Sequence, residues 1–269
     1  PKLKTNKQTR NIKFCTYHKL REYILDFYVS KFTLHLKQNQ LHMVNSRKDW
    51  NDIKSNDSWS IFKIMSEFVE GFDRMSKIGP CVSIFGSART PEENPHYKLG
   101  VDLAEQLSKR GYGIISGGGP GIMEAANRGA QKGVGPSVGL NIDLPFEQNH
   151  NPYIDPAHNL EFDYFFVRKV IFVKYSQAFV ALPGGFGTLD ELFEALTLIQ
   201  TKKIARRPVV LVGKEYWSGM TDWIQRTMLD AEQNISKEDL DLFCLVDTPE
   251  EAVEYIEDFF TTHSLTPNF

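Results

Sequence analysis

The chain has 269 residues, 41% of them hydrophobic, and a formal net charge of −3, which is typical of a soluble globular protein with one large domain or a domain plus an extension. Its three cysteines, Cys15, Cys81 and Cys244, are far apart and show no Cys-x-x-Cys spacing, which argues against a disulfide framework and a zinc site and favours a cytoplasmic location. No apolar run approaches the roughly 18 residues of a membrane span, so no membrane association is expected.

The charge is unevenly distributed along the chain. Residues 1–48 contain eleven Lys or Arg and two acids, a net charge of +9, so the remainder carries −12. Apolar and aromatic residues between Tyr17 and Phe32 recur every three or four positions, which predicts one amphipathic helix. We therefore predict a basic N-terminal extension over residues 1–56, partly helical or disordered. It could contact nucleic acid or an anionic surface, but no RNA-binding motif is present, and docking on its own core or on a dimer partner is favoured.

From residue 57 onward, short apolar runs alternate with helical patterns. A helix is predicted to begin at Asp57 or Ser58 and to present one apolar face, formed by Ile61, Ile64, Met65, Phe68, Phe72 and Met75. Strands are predicted at residues 81–85, 113–116, 137–142, 160–162, 177–182, 208–212 and 243–246. Further helices are predicted at residues 96–110, 122–132, 165–175, 188–200, 216–229 and 249–260.

This alternation predicts the fold class. Short buried strands that alternate with helices form βαβ units, which give a parallel sheet with helices on both faces. We predict an α/β, Rossmann-like doubly wound domain over residues 57–262, followed by a tail at 263–269. A loop at residues 143–158 contains three prolines and is longer than a simple connector, so it is expected to border a site.

Three glycine-rich or polar loops follow predicted strands, at residues 86–89, 117–121 and 183–188. Ligands of such sheets bind beyond the carboxyl ends of the strands. Glycines let the backbone approach an anion, and the N-terminus of the following helix supplies N–H donors, so the loops predict a phosphate site. None matches the dinucleotide or Walker pattern, and tight strand-to-helix turns require glycine in any case.

Two further pairs of residues have more than one interpretation. Thr188 and Glu191 have the spacing of a helix N-terminal capping box, or Glu191 points toward the ligand instead. Arg168 and Lys169 lie on a mostly apolar predicted helix. Such a pair is usually solvated, but on this helix Arg168 could clamp a carboxylate or phosphate.

Together these segments resemble a known family. Residues 183–191 read Pro-Gly-Gly-Phe-Gly-Thr-Leu-Asp-Glu, Arg168-Lys169 lies upstream, and residues 117–124 read Gly-Gly-Gly-Pro-Gly-Ile-Met-Glu. This pattern resembles the LOG family of cytokinin-activating nucleoside 5′-monophosphate phosphoribohydrolases, many of them once labelled "possible lysine decarboxylase". The first glycine turn, Gly86-Ser-Ala-Arg, departs from the Gly-Ser-Ser of plant members and makes the chain more similar to bacterial ones.

The resemblance implies a homodimeric hydrolase that splits AMP or a modified AMP into free base and ribose 5-phosphate, with no metal and no cofactor. Glu191 and Arg168 would be the catalytic pair. The substrate and its phosphate would be bound by Gly184, Gly185, Gly187, Thr188, Ser87, Lys169, Gly118 and Gly119. A non-catalytic nucleotide or cofactor carrier on the same fold is the alternative. A pyridoxal-phosphate decarboxylase ranks last, because no lysine lies in the glycine loops.

Overall fold

The computed structural model describes residues 53–144 and 150–269, with side chains from residue 59 onward. The predicted amphipathic helix between Tyr17 and Phe32 lies outside the described residues. The predicted division of the chain at residues 56 and 262 stays a prediction. The sheet and the cleft described below belong to one compact unit, Lys63–Phe269.

The centre of this unit is a parallel sheet of seven strands, which confirms the predicted α/β fold. Its order is β4-β3-β2-β1-β5-β6-β7, and every pairing between neighbours is parallel. The strands are β1 (Cys81–Phe85), β2 (Gly113–Ser116), β3 (Ser137–Ile142), β4 (Asn159–Phe162), β5 (Ser176–Ala181), β6 (Val209–Val212) and β7 (Cys244–Val246).

Helices connect the strands. They are α1 (Ile53–Met75), α2 (Pro95–Lys109), α3 (Ile122–Ala130), α4 (Phe165–Tyr175), α5 (Phe186–Gln200), α6 (Lys214–Trp223) and α7 (Pro249–Thr262). Short 3-10 helices lie at Pro156–His158 and Lys237–Leu242, and a π-helical segment, Ile224–Ala231, continues α6. Within the described part of the chain, none of the helices has the length and apolar character needed to cross a bilayer.

Apolar side chains fill both faces of the sheet. All residues of β1, β2, β5 and β6 are buried, as expected for parallel strands covered by helices on both sides. One face packs Phe85, Phe172 and Phe179 into an aromatic group. The other face is mainly aliphatic and lies under α2, α3 and α7. This core fixes the ends of β1 and β5, from which the glycine turns emerge.

The strand order reverses next to β1. From β1 the chain builds outward through β2, β3 and β4, then returns through α4 to place β5 on the other side of β1. Ligands of doubly wound sheets bind at such a switch point, beyond the carboxyl ends of the two strands. The turns that follow β1 and β5 contain Ser87 and Gly185, so two of the three predicted loops meet there.

Element boundaries differ from the sequence prediction mainly at helix ends. Helix α1 begins at Ile53 rather than at Asp57 or Ser58. Ile61 and Met65, both predicted on its apolar face, are exposed, whereas Phe68 and Phe72 pack on the core. The helix predicted over residues 216–229 is helical along its length but of two types, since α6 ends at Trp223 and a π-helical segment follows. These ends depend on tertiary packing more than on local pattern.

The predicted tail packs back onto the domain. Asn268 is buried and donates through Nδ2 to the carbonyl oxygens of Val173 (2.5 Å) and Ser176 (2.9 Å). It also accepts a hydrogen bond of 2.8 Å from the Nε of buried Arg207. These contacts satisfy carbonyls at the junction of α4 and β5, so the tail supports the end of the helix that carries Arg168.

Candidate functional site

An open cleft of about 1240 Å³ lies at the switch point. The turn after β1, the turn after β2, the N-terminus of α5 and helix α4 all contribute residues that line it. Seven of the ten predicted site residues line it: Ser87, Gly119, Arg168, Gly185, Gly187, Thr188 and Glu191. Gly118, Lys169 and Gly184 lie outside the lining.

The turn at residues 183–188 leads directly into α5. The helix begins at Phe186, with Gly185 as the residue before it, so the first N–H groups of α5 lie at the cleft, where they can receive an anion. Thr188 is buried, and its Oγ1 lies 2.0 Å from the position that a side chain on Gly184 would occupy. Gly184 therefore lets Thr188 pack beneath the turn, although it does not itself line the cleft.

The capping-box interpretation of Thr188 and Glu191 is wrong. The cap position is Gly185, no side chain caps the helix, and the N–H of Leu189 already donates to the carbonyl oxygen of Gly185 at 3.1 Å. Thr188 is the third residue of α5 and Glu191 the sixth, too deep in the helix to satisfy its first N–H groups. The carboxylate of Glu191 is therefore available to the cleft, which it lines.

Arg168 and Glu191 form an ion pair in the cleft. Arg168 Nη2 lies 3.7 Å from Glu191 Oε1, and only 12% and 9% of the two side chains are exposed. The guanidinium also donates through Nη1 to the carbonyl oxygen of Leu140 at 3.4 Å and lies over the rings of Phe165 and Phe172. Such cation–π contacts hold the guanidinium plane in place. Helix α4 therefore holds the Arg168 guanidinium in a fixed orientation next to the Glu191 carboxylate.

Burial raises the pKa of Glu191 to about 7. Removal from water disfavours the charged form of the carboxyl group, and Glu194 and Asp190 also raise its pKa, whereas Arg168 and Lys169 lower it. Near neutral pH, Glu191 is therefore present in both protonation states. Carboxyl groups with pKa values near the working pH are suited to proton transfer.

Lys169 lies elsewhere than the sequence prediction placed it. Its Nζ lies 2.8 Å from Asp190 Oδ1 and 3.0 Å from Glu194 Oε2, and it does not line the cleft. Consecutive residues on a helix point about 100° apart, so Arg168 and Lys169 do not face the same way. The predicted contact between Lys169 and phosphate has no support from this geometry.

Side-chain amides contact the turn at residues 117–121. Gly118 has a φ of +78°, and a Cβ atom there would lie 1.8 Å from Asn141 Oδ1. Asn151 donates through Nδ2 to the carbonyl oxygens of Gly118 (3.0 Å) and Gly119 (3.1 Å). Gly118 therefore shapes the turn, while Gly119 lines the cleft.

The loop at residues 143–158 borders the cleft, as predicted, through the described residues Asp143, Leu144 and His150. Sequence reasoning missed other lining residues. Asn141 and Met123 also line the cleft, and the position of Asn141 near the carboxyl end of a strand was a usable signal.

Helix α1 contributes residues that no motif could have indicated. Lys63 and Glu67 both line the cleft, and Lys63 forms an ion pair with Asp163. Glu67 accepts hydrogen bonds from the backbone N–H groups of Asp163 (3.0 Å) and Tyr164 (3.4 Å). An anion at the start of α4 complements the helix dipole, so α1 positions the helix that carries Arg168.

Comparison with known proteins places this geometry in context. The family model described as "Possible lysine decarboxylase" matches residues 123–256, a range that includes Arg168 and Glu191. A protein of Oryza sativa subsp. japonica, "Probable cytokinin riboside 5'-monophosphate phosphoribohydrolase LOGL5", is 30% identical over 156 residues, which cover 55% of this chain and 60% of the relative. The matched part of this chain thus spans less than two thirds of that relative.

Two further proteins extend the comparison. An uncharacterized protein of Archaeoglobus fulgidus is 30% identical over 135 residues, which cover 49% of this chain and 83% of that protein. Among solved structures, the molybdenum cofactor carrier protein MCP from Chlamydomonas reinhardtii aligns with a TM-score of 0.50 and 22% identity over 68% of this chain and 100% of that chain. At this identity the likeness shows the fold.

Proposed function

The chain belongs to the LOG family, which the "possible lysine decarboxylase" model describes, and from this premise we propose that it hydrolyses the N-glycosidic bond of a nucleoside 5′-monophosphate. The substrate would be AMP or a modified AMP, and the products free base and ribose 5-phosphate. The supporting observation is the pair of Arg168 and Glu191, buried in the same cleft as the open N-terminus of α5.

Each part of the cleft has a task in this reaction. The N–H groups at the start of α5, near Gly185, Gly187 and Thr188, would bind the 5′-phosphate. Breaking the ribosyl–base bond builds positive charge on the sugar, and the Glu191 carboxylate, about one and a half helical turns from the start of α5, would stabilise this charge and accept a proton from the attacking water. Arg168 orients Glu191 and favours its ionised form.

The proposal predicts the sign of the pH dependence. If Glu191 acts as a carboxylate, it must lose its proton, and because the pKa of Glu191 in the free protein is raised to about 7, kcat/KM should rise with pH through this value and then level off. The measurement is kcat/KM between pH 5 and 9, which reports the ionisation of the free enzyme. A kcat/KM that falls between pH 6 and 8 would contradict the base role and make Glu191 a proton donor.

A substitution at Gly187 tests phosphate binding without disturbing the fold. It lines the cleft as the second residue of α5, and a Cβ atom there would have nothing within 4 Å. We expect Gly187→Ala to keep or slightly raise stability, since alanine favours a helix over glycine by about 1 kcal/mol. The methyl group would crowd the phosphate, and KM should rise about 10-fold or more, a loss of about 1.4 kcal/mol of binding.

The matched control for this prediction is Gly219→Ala. Gly219 lies in α6, outside the cleft, and a Cβ atom there also has nothing within 4 Å. Thermal melts and steady-state kinetics on both variants compare the same chemical change at two positions. An unchanged KM in Gly187→Ala would remove this end of α5 from the phosphate site.

A panel of nucleoside 5′-monophosphates tests the proposed function itself. The purified chain is incubated with AMP, N6-modified AMP, GMP, CMP, UMP and the corresponding nucleosides, and free base is detected by chromatography and mass spectrometry. We expect base release from a 5′-monophosphate and none from its nucleoside, because the phosphate anchors the substrate. Tight nucleotide binding without base release from any compound would favour a carrier on this fold instead.

A further inference from the structure

Helix α5 presents three carboxyl groups close together. Asp190, Glu191 and Glu194 lie one, three and four residues apart on one helix, and like charges at these spacings repel each other. Glu191 is buried, while Asp190 and Glu194 are partly accessible, with 59% and 33% of their side chains exposed. If nothing neutralised Asp190 and Glu194, their repulsion would hold a proton on Glu191.

The ammonium of Lys169 lies between those two flanking groups. Its Nζ is 2.8 Å from Asp190 Oδ1 and 3.0 Å from Glu194 Oε2, and only 15% of its side chain is exposed. At these distances the ammonium forms ion pairs with both carboxylates. Because Lys169 is largely shielded from water, its charge is screened less than that of a surface lysine. It therefore opposes the charge of Asp190 and Glu194 where they act on Glu191.

We propose that Lys169 is a positioning residue, the counter-ion that keeps Asp190 and Glu194 from holding a proton on the nearby Glu191. It touches no substrate in this role. Arg168, the preceding residue of α4, contacts Glu191 from the cleft side, so two successive cations serve the carboxyl groups of α5 in different ways. This role rests on the proposed function, in which the ionised Glu191 carboxylate takes part in the hydrolysis.

Other charged groups near the cleft are less suited to this role. The exposed ones that line it are Lys63, Arg89, Asp143, His150, Glu161 and Asp163, and water screens their effect on Glu191. Glu67 is partly buried, but its carboxylate accepts hydrogen bonds from the backbone N–H groups of Asp163 and Tyr164. Of the charged groups that act on the pKa of Glu191, Arg168 and Lys169 lower it, and Glu194 and Asp190 raise it. Removing Lys169 therefore takes away one lowering charge and frees two raising ones.

The test measures the protonation of Glu191 directly. The protein is labelled with carbon-13 at the glutamate carboxyl groups, the Glu191 signal is identified by its loss in Glu191→Gln, and its chemical shift is followed from pH 4 to 10. We expect the midpoint in Lys169→Met to lie about one pH unit above that of the native protein and the midpoint in Lys169→Arg to stay near the native one. An unchanged or lower midpoint in Lys169→Met overturns the proposal.

Two further variants test whether a shift in the Glu191 midpoint comes from the charges near Glu191 rather than from a general change in the protein. Lys132→Met removes a lysine that pairs with Glu105 at 3.2 Å outside the cleft, and the Glu191 midpoint should not move. Glu194→Gln removes a raising charge while Lys169 stays, so the midpoint should fall, which tests the proposal even if Lys169→Met does not fold. A midpoint in Glu194→Gln at or above the native one contradicts the proposal.

Kinetics separate this inference from the proposed function. In an active enzyme, Lys169→Met should lose kcat/KM at pH 6 to 7 and recover most of it by pH 9, whereas a loss of structure would lower kcat/KM equally at all pH values. The titration itself requires no turnover. Absence of base release would therefore contradict the proposed function, but the effect of Lys169 on the Glu191 titration could still be measured. An unchanged Glu191 midpoint in Lys169→Met would contradict the role of Lys169 even if the enzyme is fully active.

Discussion

Glu191→Gln is expected to lose base release by about 1000-fold or more while still binding ribose 5-phosphate with nearly native affinity. Glutamine keeps the shape of the side chain but can neither carry the charge that stabilises an oxocarbenium-like sugar nor accept a proton from water. The proposed phosphate site lies at the first turn of α5, at Gly185 and Gly187, and would not use the carboxyl group. The loss should therefore appear in kcat rather than in product affinity.

Single-turnover assays with the best nucleotide of the panel and calorimetric titration with ribose 5-phosphate measure the two quantities. Glu254→Gln, the same change at an exposed position of α7, should retain native kcat and serves as the matched control. Glu191→Gln with native kcat would show that Glu191 takes no part in the chemistry. A large loss of product affinity with little loss of kcat would place the carboxyl group in ligand binding instead.

The sequence predicted the strands better than the helix ends. Predicted strands at residues 81–85, 113–116 and 137–142 match β1, β2 and β3 to the residue, because strands buried on both faces are continuous apolar runs bounded by glycine, proline or serine. Helix α5 starts at Phe186 rather than at Thr188. The residue preferences at helix N-termini favour a cap with a side-chain hydroxyl, so they do not predict that α5 begins without a side-chain cap.

The predicted site was only partly accessible to sequence reasoning. Glycine turns after buried strands locate the cleft, because parallel strands place all such turns at one edge of the sheet. The 3.7 Å separation of Arg168 and Glu191 depends on how α4 packs against α5, which spacing alone does not determine. For the same reason, the motif could not show that Lys169 faces Asp190 and Glu194 instead of the ligand.

The glycines of the turns show a second limit of sequence reasoning, because the motif does not tell which role each glycine has. In the motif, the glycines of residues 117–121 and 183–188 look equivalent, but a Cβ atom on Gly187 would meet nothing within 4 Å, whereas one on Gly118 would overlap Asn141. Glycine is therefore needed for packing at Gly118, whereas at Gly187 the role we propose is access for the ligand. This distinction requires the positions of neighbouring atoms, since both roles select the same residue type.

Gly121→Ala is expected to lower the free energy of unfolding by about 2 to 4 kcal/mol. Gly121 has a φ of +68°, where residues with a Cβ atom are strained, and a Cβ atom would lie 2.4 Å from the carbonyl oxygen of Ser87 and 2.7 Å from the carbonyl carbon of Ala88. Both are backbone atoms, so no side chain can rotate away, and the first glycine turn must move. The hydrogen bond from Ile122 N–H to the same Ser87 oxygen, 3.0 Å long, would be strained as well.

Since Ser87 also donates its N–H to the carbonyl oxygen of Pro183 at 3.1 Å, a displaced first turn would disturb the start of the turn that leads into α5. We therefore expect Gly121→Ala to lower both the Tm, by roughly 5 to 15 °C, and kcat/KM at temperatures where the protein is still folded. Calorimetry and nucleotide hydrolysis measure the two effects, with Gly219→Ala in α6 again as the control that should lose neither. A Tm within about 1 °C of the native value would mean that the turns after β1 and β2 are not held in register through Gly121.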